Sequence, residues 1–139
     1  MSDFRHTERC SNSVLEVLID HYGLEGRVSL PGNVSNPYSY MARAKAFVLS
    51  SRYEGLPTVL VEAMACECPV VSTDCPGVVA EILSNGKYGH LTPNGNPTAL
   101  ADAIVDVLKG HGRYAPTQWL RQFELEPVVD QYIQVLNLT

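Results

Sequence analysis

The stretch AFVLSSRYEGLPTVLVEAMACECPVVS, residues 46–72, decides the fold. Ala46-Phe-Val-Leu49 is a continuous apolar run of strand length, the kind buried on both faces of a parallel sheet. Pro57 to Cys66 reads as a helix, apolar nearly all round and therefore buried. Pro69-Val-Val-Ser72 is a second buried strand. Strand, helix and strand joined by short loops make a parallel crossover unit, and the chain is α/β. Outward from this unit the alternation continues. Towards the N-terminus, residues 10–22 place Val14, Leu15, Leu18, Ile19 and Tyr22 at helical spacing, and Gly23 ends the run. Arg27-Val-Ser-Leu30 reads as a short strand stopped by Pro31-Gly32. Asn36 followed by Pro37 is a helix start, opening a short helix from Tyr38 to Ala44. Towards the C-terminus, Pro76-Gly77 opens a helix to about Leu83, and Tyr88 to Leu91 is a strand. Pro97 to Lys109 is an amphipathic helix with Leu100, Ile104 and Leu108 on one face. Helices over 116–123 and 127–136 follow, with Trp119, Phe123 and Tyr132 expected to pack them together.

Composition narrows the possibilities. A chain of 139 residues is one domain, taken as 1–139 with a core over 13–109 and terminal helices over 116–137. Hydrophobic residues are 45% and charged residues 18%, values of a globular chain. The net charge is −5 with no Lys/Arg stripe, which argues against a nucleic-acid partner and a polybasic membrane anchor. No apolar run approaches the ~20 residues of a membrane span. The first ten residues lack the pattern of a secretory signal. Cysteines stand at 10, 66, 68 and 75; the Cys66–Cys68 spacing, without a nearby histidine, makes neither a zinc set nor a disulfide scaffold. The expected location is the cytoplasm or the cytoplasmic face of a membrane.

In open parallel sheets, ligands bind beyond the carboxyl ends of the strands. Ser50 to Pro57 is the polar loop in that position after Leu49. Gly55 lets backbone approach a ligand, and the helix that follows offers amides near Thr58 and Val59 that favour a phosphate. Glu62 is a carboxylate in an otherwise apolar helix, so it is either paired with an Arg or Lys or faces a cavity. Its place, four residues after Thr58, fits a capping box poorly and suits a pair of vicinal hydroxyls such as those of a ribose. Glu54, eight residues earlier, flanks the same helix start. Arg52 stands beside the loop as a candidate phosphate contact. Arg43 and Lys45 read as solvated, His90 as structural, and His6, His21 and His111 show no partner pattern.

Glu54-Gly-Leu-Pro-Thr-Val-Leu-Val-Glu62-Ala-Met-Ala resembles the E-x7-E signature of the retaining family 4 glycosyltransferases, two-domain enzymes of GT-B architecture. Flanking blocks agree in order: Arg27 to Val34, Ala46 to Ser51, Pro69 to Asp74, Tyr88 to Leu91, then Asn96-Pro97 with the helix at Leu100-Ala101. The resemblance runs from about residue 13 to about 109. It implies a partial Rossmann-like fold, the donor-binding C-terminal half of such an enzyme, lacking the first two strands. It implies that Glu54 contacts hydroxyls of the donor sugar as the catalytic carboxylate. It also implies that Gly55, Leu56, Pro57, Thr58 and Val59 hold sugar and diphosphate, that Glu62 binds the ribose, and that the backbone around Val34 meets the nucleobase. The implied reaction is sugar transfer from a nucleotide-diphosphate sugar with retention, as in polysaccharide biosynthesis. No metal and no cofactor are expected; UDP-sugar is the donor guessed from the family.

Departures from the family pattern matter as much. Two strands, a helix and the basic pair that steadies the leaving diphosphate are absent, as is the acceptor-binding N-terminal domain. Residues 1–10 fall where a Gly-Asp-Gly-Pro-like turn is expected, Glu67 stands where Gly is usual, and Val78-Val79-Ala80 replaces a Gly-Pro-Arg stretch before Glu81. Without the central strands, either strand 28–30 pairs directly with 46–49 or a second molecule covers that edge. The alternative function is therefore a catalytically inactive remnant acting as an interaction or homo-oligomerising module. A receiver-like domain is disfavoured, because no acidic cluster closes a first strand before Val28.

Overall fold

The computed structural model describes residues 4–136, with side chains from residue 13 onward. The chain falls into two compact units, Met1–Ser35 and Asn36–Thr139.

The first unit holds one helix, α1 (Phe4–His21), which begins six residues before the expected start. It ends where Gly23 adopts a left-handed conformation (φ 61°). The Leu24 amide then reaches back to the Ile19 carbonyl and the Gly23 amide to that of Asp20, the two bonds of a Schellman motif. The expected strand over 27–30 does not form. Turn hydrogen bonds from Arg27 and Val28 to the Leu24 carbonyl occupy the start of the segment, and Gly26 and Gly32 take positive φ on either side. A strand exists only by a ladder to a neighbour, and the sheet of this protein draws none of its three strands from this segment.

The second unit is a three-stranded parallel sheet in the order β1 (Phe47–Leu49), β2 (Val70–Asp74), β3 (His90–Pro93). Phe47 lies opposite Val70 and Leu49 opposite Ser72; Val71 lies opposite His90 and Asp74 opposite Pro93. Before the sheet comes α2 (Tyr38–Met41), shorter than expected. Asn36 does cap it, its Oδ1 accepting from the Ser39 amide at 3.3 Å. Between β1 and β2 runs α3 (Thr58–Ala65), and between β2 and β3 the short α4 (Val79–Ile82). After β3 comes α5 (Pro97–Leu108), capped by Asn96, whose Oδ1 accepts from the Ala99 amide at 3.0 Å. The C-terminal region is α6 (Thr117–Leu120), a 3-10 turn over Arg121–Phe123, and α7 (Leu125–Val135).

The core sits on β2, whose Val70 to Thr73 are all buried. Val70 packs with Leu60, Ala63 and Met64 of α3 and with Val79, Ile82 and Leu83 at α4. Val71, one residue on, points to the opposite face, where α5 lies against β2 and β3 and buries Val107. β1 was expected to be buried on both faces, but Val48 is 37% exposed. Val48 is in register with Val71 and shares its face, which α5 covers chiefly over β2 and β3. β3 begins at His90 rather than Tyr88. Gly89 lies flush against Leu83, where a Cβ would come within 2.9 Å of a methyl, and the Tyr88 amide is engaged by the Leu83 carbonyl. The chain therefore enters the ladder two residues late. Trp119 anchors the C-terminal region: its indole N–H donates to the Ile82 carbonyl at 3.0 Å and its ring lies 5.1 Å from that of Tyr88. Phe123 packs on Trp119, but Tyr132 is exposed and takes no part in the expected helix pair.

Candidate functional site

The loop from Ser50 to Pro57 stands at the carboxyl end of β1, and the ends of β2 and β3 tie it down. The Thr73 hydroxyl donates to the Ser51 carbonyl at 2.5 Å. The Glu54 amide donates to the Pro76 carbonyl at 3.2 Å, and Asn94 Nδ2 donates to the Arg52 carbonyl at 2.9 Å. Gly77 (φ 129°) lies against the backbone of Glu54 so closely that a Cβ would fall 1.8 Å from the Glu54 carbonyl oxygen. These four residues, Ser51, Thr73, Gly77 and Asn94, are what sequence reasoning missed. Their signal was their position at strand ends, not a motif.

Glu54 is half-buried, and Ser51 Oγ donates to its Oε1 at 2.6 Å. That is the length of a hydroxyl bond to a charged carboxylate. Glu62 is half-buried on α3, about 6 Å along the helix axis from Thr58 at 1.5 Å per residue. No ion pair holds either carboxylate among the described residues, so the reading of Glu62 as half of a structural salt bridge finds no partner. Among the described residues Glu62 therefore keeps both acceptor oxygens for another molecule, and Glu54 keeps Oε2, its Oε1 being held by Ser51.

Of the five residues expected at the phosphates, the structure separates three kinds. Gly55 and Leu56 are exposed, and their amides, like that of Val59, make no hydrogen bond to another described group. The Thr58 amide is engaged by the Leu56 carbonyl at 2.9 Å. Pro57 has no amide hydrogen, is buried, and anchors the start of α3 in the core. The amides free to meet an anion are therefore those of Gly55, Leu56 and Val59, at a helix end where the dipole favours negative charge. Arg52 is exposed and lines a cleft of about 220 Å³ with Ser50, Thr73, Asn94, Asn96 and Leu100; Glu54 and Glu62 do not line it. Val34 lies in the first unit, half-buried in a loop.

Away from the loop, the perturbed groups are structural. His90 is buried and donates from Nε2 to the His111 carbonyl at 2.9 Å. His111 Nδ1 meets Asp106 Oδ1 at 2.6 Å, and this hydrogen bond holds the Asp106 carboxyl below its ordinary pKa of 3.8. Burial raises the Cys68 thiol above 9.0, with the neighbouring Cys66 adding to it. Among the described residues no group of three His, Cys, Asp or Glu side chains could hold a metal ion, and no helix is long and apolar enough to cross a membrane.

The three-stranded parallel sheet flanked by helices has the fold of the Rossmann-like half of a GT-B glycosyltransferase. Residues 11–118 match the family described as "Glycosyl transferases group 1", and the chain belongs to it. Among curated relatives it is 35% identical over 95 residues to N-acetylgalactosamine-N,N'-diacetylbacillosaminyl-diphospho-undecaprenol 4-alpha-N-acetylgalactosaminyltransferase of Campylobacter jejuni, covering 68% of this chain and 26% of that one. It is 31% identical over 121 residues to N-acetyl-alpha-D-glucosaminyl L-malate synthase of Bacillus anthracis, covering 83% of this chain and 32% of that one. Among solved structures, Alr3699/HepE of Anabaena, in complex with UDP, superposes with a TM-score of 0.84 at 26% identity, covering 96% of this chain and 38% of the other. Sucrose-phosphate synthase of Thermosynechococcus elongatus superposes with a TM-score of 0.78 at 27% identity, over 93% of this chain and 34% of that one. The chain thus spans about a quarter to a third of the length of the curated relatives named.

Proposed function

We propose that this chain is the donor-binding part of a retaining glycosyltransferase that moves a sugar from a nucleotide-diphosphate sugar to an acceptor. The observation that carries the reading is the pair Glu54 and Glu62, both half-buried and without an ion-pair partner among the described residues, bracketing the start of α3. Glu54 contacts donor-sugar hydroxyls, Glu62 binds the ribose diol, and the Gly55, Leu56 and Val59 amides meet the diphosphate as its negative charge grows on departure. Retention follows if the acceptor attacks from the face the diphosphate leaves. The backbone around Val34 is assigned to the nucleobase and Arg52 to a phosphate contact. UDP is the nucleotide of first choice, supported by the UDP bound to the Anabaena neighbour. The acceptor comes with a separate N-terminal domain, the setting is polysaccharide or related glycan synthesis, and the location is cytoplasmic. No metal or cofactor is assigned.

A second reading is favoured by one observation: among the described residues β1 has a strand on one side only. A strand edge of this kind can be covered by another chain, so an inactive remnant that homo-oligomerises through β1 is the rival. NMR titration of the chain with UDP and UDP-sugars, beside Glu62→Ala, separates the two. Saturable shifts over residues 54–62 that vanish in the variant support donor binding. A dispersed spectrum that no nucleotide moves, in a stable oligomer, refutes it in favour of the rival. The isolated chain is expected to transfer no sugar.

A further inference from the structure

We propose that Ser51 and Gly77 are positioning residues that hold the Glu54 carboxylate ready for the sugar half of the donor; the proposal rests on the donor-site reading above. Ser51 grips the side chain, its Oγ donating to Glu54 Oε1 at 2.6 Å. Ser51 is itself fixed from below: its carbonyl accepts the hydroxyl of Thr73, a 5% exposed residue of the central strand. Gly77 fixes the backbone from the other side. The Glu54 amide is bonded to the neighbouring Pro76 carbonyl, and any side chain at 77 would run into the Glu54 carbonyl. Gly55, next in sequence, has open space around it.

The loop is therefore clamped at Glu54 and open immediately beyond. A glutamate has three side-chain torsions to fix before its carboxylate meets a ligand, and fixing them beforehand raises affinity. The Ser51 hydrogen bond acts on the Glu54 side chain alone, whereas the Gly77 contact also bears on the peptides that carry the Gly55 and Leu56 amides. The Ser51 bond should therefore govern the affinity that the sugar adds, leaving the affinity for the nucleotide diphosphate alone.

The test is the affinity of the full chain for UDP, UDP-glucose and UDP-N-acetylglucosamine, by NMR titration. Ser51→Ala is expected to weaken the preferred UDP-sugar about tenfold, the scale of a hydrogen bond to a charged group, while UDP changes less than twofold. Ser51→Thr, which keeps the hydroxyl, is expected to restore the sugar increment. Gly77→Ala should weaken UDP and UDP-sugar together if its spectrum remains native, because the displaced peptides carry the Gly55 and Leu56 amides. If that variant does not fold, the Ser51 pair decides. Equal weakening of UDP and UDP-sugar in Ser51→Ala, or no change in either, overturns the proposal. Wild-type binding lost in Glu62→Ala but untouched in Ser51→Ala overturns the positioning role alone. Wild-type chain that binds no UDP overturns the donor-site reading, and this proposal with it.

Discussion

Glu67→Gly is expected to stabilise the protein by about 0.5–1 kcal/mol. Glu67 follows α3 with φ 56°, and its amide bonds to the Met64 carbonyl while that of Cys68 bonds to Ala63. These are the two bonds of a Schellman motif. α1 and α5 close with the same pair of bonds, but there Gly23 (φ 61°) and Gly110 (φ 98°) take the left-handed position. The energetic difference is local. An L-residue held in the left-handed region costs about 1–2 kcal/mol. Glycine at that position removes this strain but returns about 0.4–1 kcal/mol through the larger freedom of the unfolded chain. No hydrogen bond or ion pair of the Glu67 side chain is lost among the described residues, and the residue is exposed. The assay is urea unfolding followed by circular dichroism: the midpoint should rise at unchanged m. The thermal midpoint should rise by about 2–5 °C. Glu67→Val, a β-branched residue at the same φ, should move both the other way. A midpoint for Glu67→Gly equal to or below that of the wild type would refute the strain argument.

Two further outcomes follow from the same geometry. Trp119→Phe keeps the ring stack on Tyr88 but strands the Ile82 carbonyl, so unfolding by circular dichroism should show a loss of about 1–2 kcal/mol; an unchanged midpoint would mean that water replaces the indole without penalty. The Asp106 carboxyl, followed by carbon-13 NMR, should titrate below 3.8 and return towards it in His111→Ala. Because the folded value is the lower one, the contribution is present above the ordinary carboxylate range and is lost as pH falls through the lowered value. A midpoint that His111→Ala does not move would count against the hydrogen bond as its cause.

What the sequence by itself determined is short-range. The apolar runs at 47–49 and 70–73, the caps at Asn36 and Asn96 and the breaks at Gly23 and Gly110 follow from periodicity and from side chains acting within a few residues. The same is true of the pair at 54 and 62, whose spacing about a helix start is visible in the letters alone. What tertiary structure decided is everything that needs a distant partner. Residues 27–30 have the composition of a strand, but the Arg27 and Val28 amides close a turn onto the Leu24 carbonyl instead. Val48 of β1 is exposed because α5 covers its face of the sheet chiefly over β2 and β3. Of five residues that looked equivalent at the anion end, one is a buried proline and one has its amide engaged locally, which only the path of the backbone reveals. The grip of Ser51 on Glu54, its anchorage to Thr73 22 positions away, and the flush contact of Gly77 with the Glu54 backbone leave no motif in the sequence. Each depends on the parallel register that brings the ends of β1 and β2 side by side, and hydrogen bonds and steric exclusion act across that gap in space, not along the chain.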